Sequence, residues 1–193
     1  MKTLCAALAL AVAGVSAASA ASFVVRPGDP NKVVFVSQAP TEKFEGKTNK
    51  MEGRLVLDPA SLGDSITVHL EVDLASLDTG IKKRNQHMRE NHLETAKFPK
   101  AIFDGAAVLS PAGTKLEVGK PVTFEAAGTF TIHGVSRRLR CTAEATWTGS
   151  ALAFKATFPI ALPDYAIKRP EMLFLKLAET QQVRVSATAT PAP

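Results

Sequence analysis

Residues 65–74 read Ser65-Ile66-Thr67-Val68-His69-Leu70-Glu71-Val72-Asp73-Leu74. Ile66, Val68, Leu70, Val72 and Leu74 share one parity, and the polar residues between them share the other. Successive side chains of a strand point to opposite faces, so this run forms a strand with one oily side and one wet side. The same period recurs along the chain. Val122, Phe124 and Ala126, then Phe130 and Ile132, alternate with Thr123, Glu125, Thr129 and Thr131. Leu139, Cys141, Ala143, Ala145 and Trp147 alternate with Arg138, Arg140, Thr142, Glu144 and Thr146. Leu152, Phe154, Ala156, Phe158 and Ile160 form another set, and Val183, Val185, Ala187 and Ala189 a last one. Shorter candidates cover residues 32–37, 42–57 (broken near Gly46 and Gly53) and 101–109.

Turn signals separate these runs. Thr148-Gly149-Ser150 and Ser110-Pro111-Ala112-Gly113 are two of them, and His133-Gly134 suits a tight hairpin because both residues tolerate positive φ. Roughly eight strands with one apolar face each imply an all-β antiparallel sandwich or closed barrel. One segment breaks the rhythm: residues 82–93 lose the period of two and are rich in helix-compatible Lys, Arg, Gln, Met and Glu, which predicts one short helix ending before Phe98-Pro99. Residues 164–177 are compatible with either type of structure, although Arg169-Pro170 bars a helix through that point.

Residues 1–20 are expected to be a cleaved export signal: Lys2, an apolar run over residues 4–15, and Ala18-Ser19-Ala20 before Ala21. The run is too short to span a bilayer. The functional unit is then one domain over residues 21–193, expected in the periplasm. Cys5 leaves with the signal and Cys141 stays alone, so an intrachain disulfide is excluded in the mature chain. The formal net charge of +5 is carried by interspersed charges of both signs, which argues for an ordinary solvated surface and not for a nucleic-acid partner.

Residues 77–92 hold the most suggestive chemistry. Asp78-Thr79-Gly80 matches the triplet of aspartic proteases, but those enzymes need two carboxylates sharing a proton and this chain has one triplet. The alternative is that Asp78 and Thr79 cap the helix or its lead-in turn. His87 and His92 are five positions apart and diverge by roughly 140° around a helix, whereas zinc helices pair histidines on one face. Lys82-Lys83-Arg84 reads as a solvated helix start or a contact for a phosphate-bearing head group.

Taken together these residues resemble the YceI-like family. Asp78-Thr79-Gly80, Arg84, His87-Met88, Phe98-Pro99 and Phe103 follow its central signature. Gly128-Thr129-Phe130-Thr131-Ile132-His133-Gly134-Val135-Ser136-Arg137 follows its strand-and-turn motif, with Phe130 in place of leucine. Asp164-Tyr165-Ala166-Ile167 stands where the family has Asp-Phe-Gly-Ile, and Phe35 to Ser37 with Phe44-Glu45-Gly46 match its opening. Glu90-Asn91-His92-Leu93-Glu94 departs from the family pattern. The resemblance implies an eight-stranded antiparallel lipocalin-like barrel whose apolar pore holds a polyisoprenoid or another long-chain amphiphile such as an isoprenoid quinone. It brings no catalytic residue, cofactor or metal.

The residues support a pore on their own terms. The inward faces of the later strands carry small side chains: Ala143, Ala145, Ala156, Ala187 and Ala189. A barrel of eight strands is about the smallest that can hold a ligand, and small inward residues leave space for one. Phe124, Phe130, Phe154 and Phe158, with Ala143, Ala145, Ala156, Val183 and Val185, are the expected wall. Arg84, His87, Asp164 and Tyr165 interrupt the strand pattern where a mouth would form, and are the head-group candidates. Three other classes stay open: a structural or stress protein without ligand, a hydrolase centred on Asp78, and an outer-membrane barrel. The last is disfavoured because one Trp and one Tyr cannot make two aromatic girdles. Oligomeric state is not legible, and a homodimer is compatible with the sequence.

Overall fold

A computed structural model of the chain describes residues 20–39, 42–62, 66–109, 114–172 and 175–193. The leader assigned to residues 1–20 therefore lies almost wholly outside the described residues. Among the described residues twelve strands form: β1 (Ala21–Val25), β2 (Lys32–Gln38), β3 (Lys43–Thr48), β4 (Met51–Leu57), β5 (Thr67–Asp73), β6 (Lys100–Leu109), β7 (Pro121–Ile132), β8 (Val135–Trp147), β9 (Leu152–Ala161), β10 (Glu171–Met172), β11 (Leu175–Lys176) and β12 (Thr180–Pro191). β10 and β11 make a small hairpin, and the other ten close into one antiparallel sheet.

That sheet is an eight-position barrel. β1 and β2 follow one another along the same edge of β12, with Phe23 opposite Pro191 and Val33 opposite Val185. β3 and β4 divide the next position in the same way, pairing with β2 and β1 respectively. From β4 the order runs β5, β6, β7, β8, β9 and back to β12. β3 pairs with β2 alone, and its other side meets the chain only at an isolated bridge between Lys47 and Asp78. The break in the first position is held by Asn31: its Nδ2 donates to the Arg26 carbonyl at 2.7 Å, and its Oδ1 accepts from the Thr188 amide at 2.9 Å.

The alternation read from the sequence holds, most plainly in β8, where Leu139, Cys141, Ala143 and Ala145 are buried between exposed Arg138, Arg140 and Thr142. Two expectations shift. The break in residues 42–57 falls at Asn49-Lys50 and not at a glycine. β1 was not predicted: it is only five residues long, too short for its period to stand out beside the leader. The His133-Gly134 hairpin forms with φ of 54° and 73°, the two left-handed residues of a type I′ turn. Gly128 is needed because an added Cβ would stand 2.5 Å from the Asp104 carbonyl oxygen and 2.8 Å from Gly105 Cα, backbone atoms of the neighbouring strand.

The predicted helix occupies residues 82–92 in two parts. α1 (Lys82–His87) is α-helical, and Met88–His92 continues as a π-helical turn whose end is marked by the Leu93 amide donating to the Met88 carbonyl at 2.8 Å. With the 3-10 turn Leu162–Tyr165, this segment covers one end of the barrel. At the opposite end Phe23 meets Trp147 edge-on, ring centres 5.6 Å apart.

The outer wall is polar. Lys155 pairs with Glu144 at 3.3 Å, Arg140 with Glu125 at 3.7 Å, and Arg184 with Glu45. Among the described residues the exposed large hydrophobics are Ile81 and Val118, neither of them in a strand. A membrane-spanning barrel has the reverse arrangement, with an apolar band outside and a polar lumen.

Candidate functional site

Closing an amphipathic sheet turns every oily face toward one axis, and whether the interior is solid depends on side-chain volume. Here it is hollow. A cavity of about 750 Å³ runs along the barrel, within the roughly 300–1,000 Å³ usual for small-molecule sites. The wall on β7, β8, β9 and β12 includes Phe124, Phe130, Ala143, Ala145, Phe154, Ala156, Phe158, Val183 and Val185. On β5 it includes Val68, Leu70 and Val72, with Ile66 and Leu74 continuing the same parity. Ala143 stands opposite Phe124 on one side and Ala156 on the other, so that part of the wall is thin where a packed sandwich would be filled.

The lining is graded. Toward the β1–β8 end it is apolar: Leu55, Leu57, Ile66, Ala145, Leu152 and Phe154. The polar lining residues gather at the helix end: Ser37, Glu42, Thr79, Lys83, Arg84, His87, His92 and Gln181. Arg84 and His87 are among the residues that line this end, and Asp164 and Tyr165 are not. The 3-10 turn points Leu162 into the cavity and leaves Asp164 exposed, its carbonyl accepting from Arg137 Nε at 3.0 Å. Tyr165 is buried against Phe130, ring centres 5.6 Å apart, with its carbonyl 3.2 Å from His133 Nδ1.

The Asp78-Thr79-Gly80 motif is a structural knot beside this rim. Asp78 Oδ1 accepts from the Gly80 amide at 2.8 Å and from Asn85 Nδ2 at 2.6 Å. The bond from Asn85, followed by that from Gly80, holds the Asp78 carboxyl below its ordinary range. Asn85 Oδ1 accepts from both the amide and the hydroxyl of Thr79, at 2.8 and 2.6 Å. Asp78 therefore caps the lead-in turn; the helix itself has Ile81 at its N-cap with no side-chain cap bond. Asp78 is not among the cavity-lining residues.

Arg84 is held by three hydrogen bonds. Its Nε donates to Thr79 Oγ1 at 2.9 Å, Nη2 to the Thr79 carbonyl at 2.8 Å and Nη1 to Glu42 at 2.6 Å, while its guanidinium lies 3.9 Å from the Phe44 ring centre. His92 Nδ1 lies 2.9 Å from the Lys168 carbonyl, and burial pushes its pKa down. Among the described residues no group of three His, Cys, Asp or Glu side chains is placed to hold a metal ion. Cys141 faces the cavity as a buried thiol whose pKa burial raises.

Sequence reasoning missed Ser37, Thr79 and Gln181 as lining residues. For Ser37 a signal existed: Val33, Phe35 and Ser37 share one parity in β2, which puts a hydroxyl on the oily face.

Known proteins place this architecture. A UPF0312 protein of Vibrio cholerae is 29% identical over 161 residues, covering 79% of this chain and 80% of its own. A UPF0312 protein of Shewanella sp. strain ANA-3 is 30% identical over 161 residues, with the same coverage. Among solved structures, BcnA of Burkholderia cenocepacia superposes with a TM-score of 0.70 at 22% identity, covering 83% of this chain and 96% of that one. A polyisoprenoid binding domain from Saccharophagus degradans gives a TM-score of 0.70 at 18% identity, covering 90% of this chain and all of that one. The model of the YceI-like domain matches residues 17–189, nearly the full length of the described barrel, and the chain belongs to that family.

Proposed function

We propose that this chain is an exported, non-catalytic carrier of a polyisoprenoid or similar long-chain amphiphile such as an isoprenoid quinone, held with its tail in the barrel and its head at the helix end. The observation that carries this reading is the graded cavity: apolar toward one end and polar at the other. The binding activity in the name of the Saccharophagus degradans domain, a protein of like fold, supports it. The energetics agree. Burial of each methylene contributes about 0.8 kcal/mol, so a tail of roughly a dozen carbons supplies on the order of 10 kcal/mol before the cost of immobilisation is deducted. Few directional contacts are then required, and the tail can vary in length and branching. The leader pattern read in residues 1–20 supports export to the periplasm, which would place the carrier between two membranes.

Native mass spectrometry of the gently purified protein tests the reading. An added mass of several hundred daltons, on the order of a long-chain lipid, which organic solvent removes, is the expected result. A barrel that is empty on isolation and takes up no long-chain isoprenoid ends the proposal.

A further inference from the structure

The cavity meets solvent along the helix. Lys83 and His87 line it and are exposed, and Ile81 lines it while 50% exposed. Side chains that both line a cavity and stand in water mark its opening. Among the described residues Ile81 and Val118 are the large hydrophobics left exposed, and they lie at different ends. Val118 bridges to Trp147 at the far end, does not line the cavity, and has the ion pair of Glu117 with Lys120 beside it. Ile81 is followed instead by Lys82 and Lys83.

The charge around this opening is unbalanced. Glu42 accepts from Arg84, Asp78 from Asn85 and the Gly80 amide, and Glu90 from Gln86. Lys47, bridged to Asp78 through its backbone, and Arg89, bonded to the Ala75 carbonyl at 3.1 Å, add positive charge beside the same turn. The ammonium groups of Lys82 and Lys83, both exposed, have no ion-pair or hydrogen-bond partner among the described residues. Both lysines occupy the first helical turn, which holds no acidic residue. The helix dipole favours carboxylates there, so lysine weakens the helix and gains nothing within the fold. An exposed isoleucine beside uncompensated cations, at the opening of an apolar cavity, fits a bilayer surface rich in anionic phospholipid. The lysines would meet its phosphates while Ile81 enters the boundary between head groups and chains. A protein partner would find little apolar surface to cover around one isoleucine. We propose that the face formed by Ile81, Lys82 and Lys83 docks the open end of the barrel on an anionic membrane, so that the tail enters without crossing water. This deepens the carrier reading and rests on it.

The test is flotation of residues 21–193, which contain every strand, with vesicles of phosphatidylcholine alone or in equal parts with phosphatidylglycerol. Wild type is expected to float with the mixed vesicles, not with the neutral ones, and to be released by added salt. Lys82→Gln should weaken that binding by about fivefold, the usual worth of one lysine at an anionic surface, and Ile81→Ser by at least about fivefold. Val118→Ser, at the opposite end, should float like wild type. Lys82 does not line the cavity, so Lys82→Gln should take up a fluorescent fatty probe from solution as wild type does, and it should melt no lower. Wild type that ignores phosphatidylglycerol, or Lys82→Gln and Ile81→Ser that float unchanged, would overturn the docking face and leave the carrier reading intact. A Val118→Ser loss equal to that of Ile81→Ser, or a lowered melting temperature for Lys82→Gln, would do the same. Self-association without vesicles that Ile81→Ser abolishes would give the face to a second copy and also overturn it. Failure of wild type to take up the probe overturns both readings.

Discussion

Asn85 uses both ends of its amide to tie the helix to the turn before it, and both it and Thr79 are buried. Asn85→Ala leaves the Thr79 amide and hydroxyl without their acceptor, which should lower stability by about 1–3 kcal/mol in urea denaturation. Asp78→Asn should leave lipid uptake unchanged, since Asp78 is exposed and does not line the cavity. Two histidines make opposite contributions to the pH profile. The hydrogen bond from His69 to Asp104, at 2.7 Å, raises the His69 pKa above its ordinary 6.5 against an opposing effect of burial. The fold holds that proton more tightly than the unfolded chain, so this stabilisation is complete below pH 6.5 and fades as pH rises through the folded-state value. Burial lowers the His92 pKa; the unfolded chain takes that proton first, and stability declines as pH falls through 6.5. His69→Gln should therefore flatten the alkaline side of the profile, and His92→Gln the acid side, in urea midpoints followed on either side of pH 6.5. Both effects are small, because His69 is half exposed and solvent screens its pair.

At the level of strands, the thin wall of β8 and β9 decides how much the barrel can hold. Ala143 faces the cavity between Phe124 and Ala156. Ala143→Phe places a ring in open space, not in packed atoms, so its melting temperature should match or exceed that of wild type, where the same change in a filled core costs about 1–3 kcal/mol. Long-chain lipid should bind at least tenfold more weakly to it, since burying even two fewer methylenes forfeits about 1.6 kcal/mol. Equal binding by wild type and Ala143→Phe, measured by fluorescent-probe displacement, would show that the tail lies elsewhere. The helix element has a different task. Arg84 and Asn85 fasten it to the Asp78-Thr79-Gly80 turn, and the turn is joined to β3 through paired backbone bonds between Lys47 and Asp78 of 2.9 and 3.0 Å. The polar rim is thus mounted on the sheet and not on a free loop.

Across the barrel as a body, two gradients coincide: apolar to polar along the cavity, and oily to charged across the wall. A linear amphiphile fits that field in one direction only. Affinity for a homologous series of isoprenoid alcohols should climb with each added carbon by about 0.8 kcal/mol per buried methylene and then level off when the far end, at Leu57 and Leu152, is reached. The length at which titrations level off measures the usable depth; an affinity independent of tail length would contradict burial of the tail. The closed sheet has its own consequence. β3 pairs with β2 on one side and has on the other only the bridge between Lys47 and Asp78, so association between copies by strand addition is confined to that edge.

The period of two settled most of the architecture before any tertiary contact was considered. It named the inward faces of β5, β7, β8, β9 and β12, and with them the nine wall residues that line the cavity. That was possible because side-chain direction in a strand is a local property. The loss of period over residues 82–93 located the helix for the same reason. Other features depend on residues far apart in the chain. That β1 and β2 share one barrel position follows from their common partner β12, more than a hundred residues away. That Asp164 and Tyr165 do not line the cavity shows only in the folded chain, where Tyr165 packs against Phe130 and the Asp164 carbonyl accepts from Arg137. The serine in Phe35-Val36-Ser37 is an ordinary strand residue until closure buries it without a partner, and only the assembled barrel determines which hydroxyl is left unbonded, because hydrogen-bond satisfaction is a property of everything that surrounds an atom.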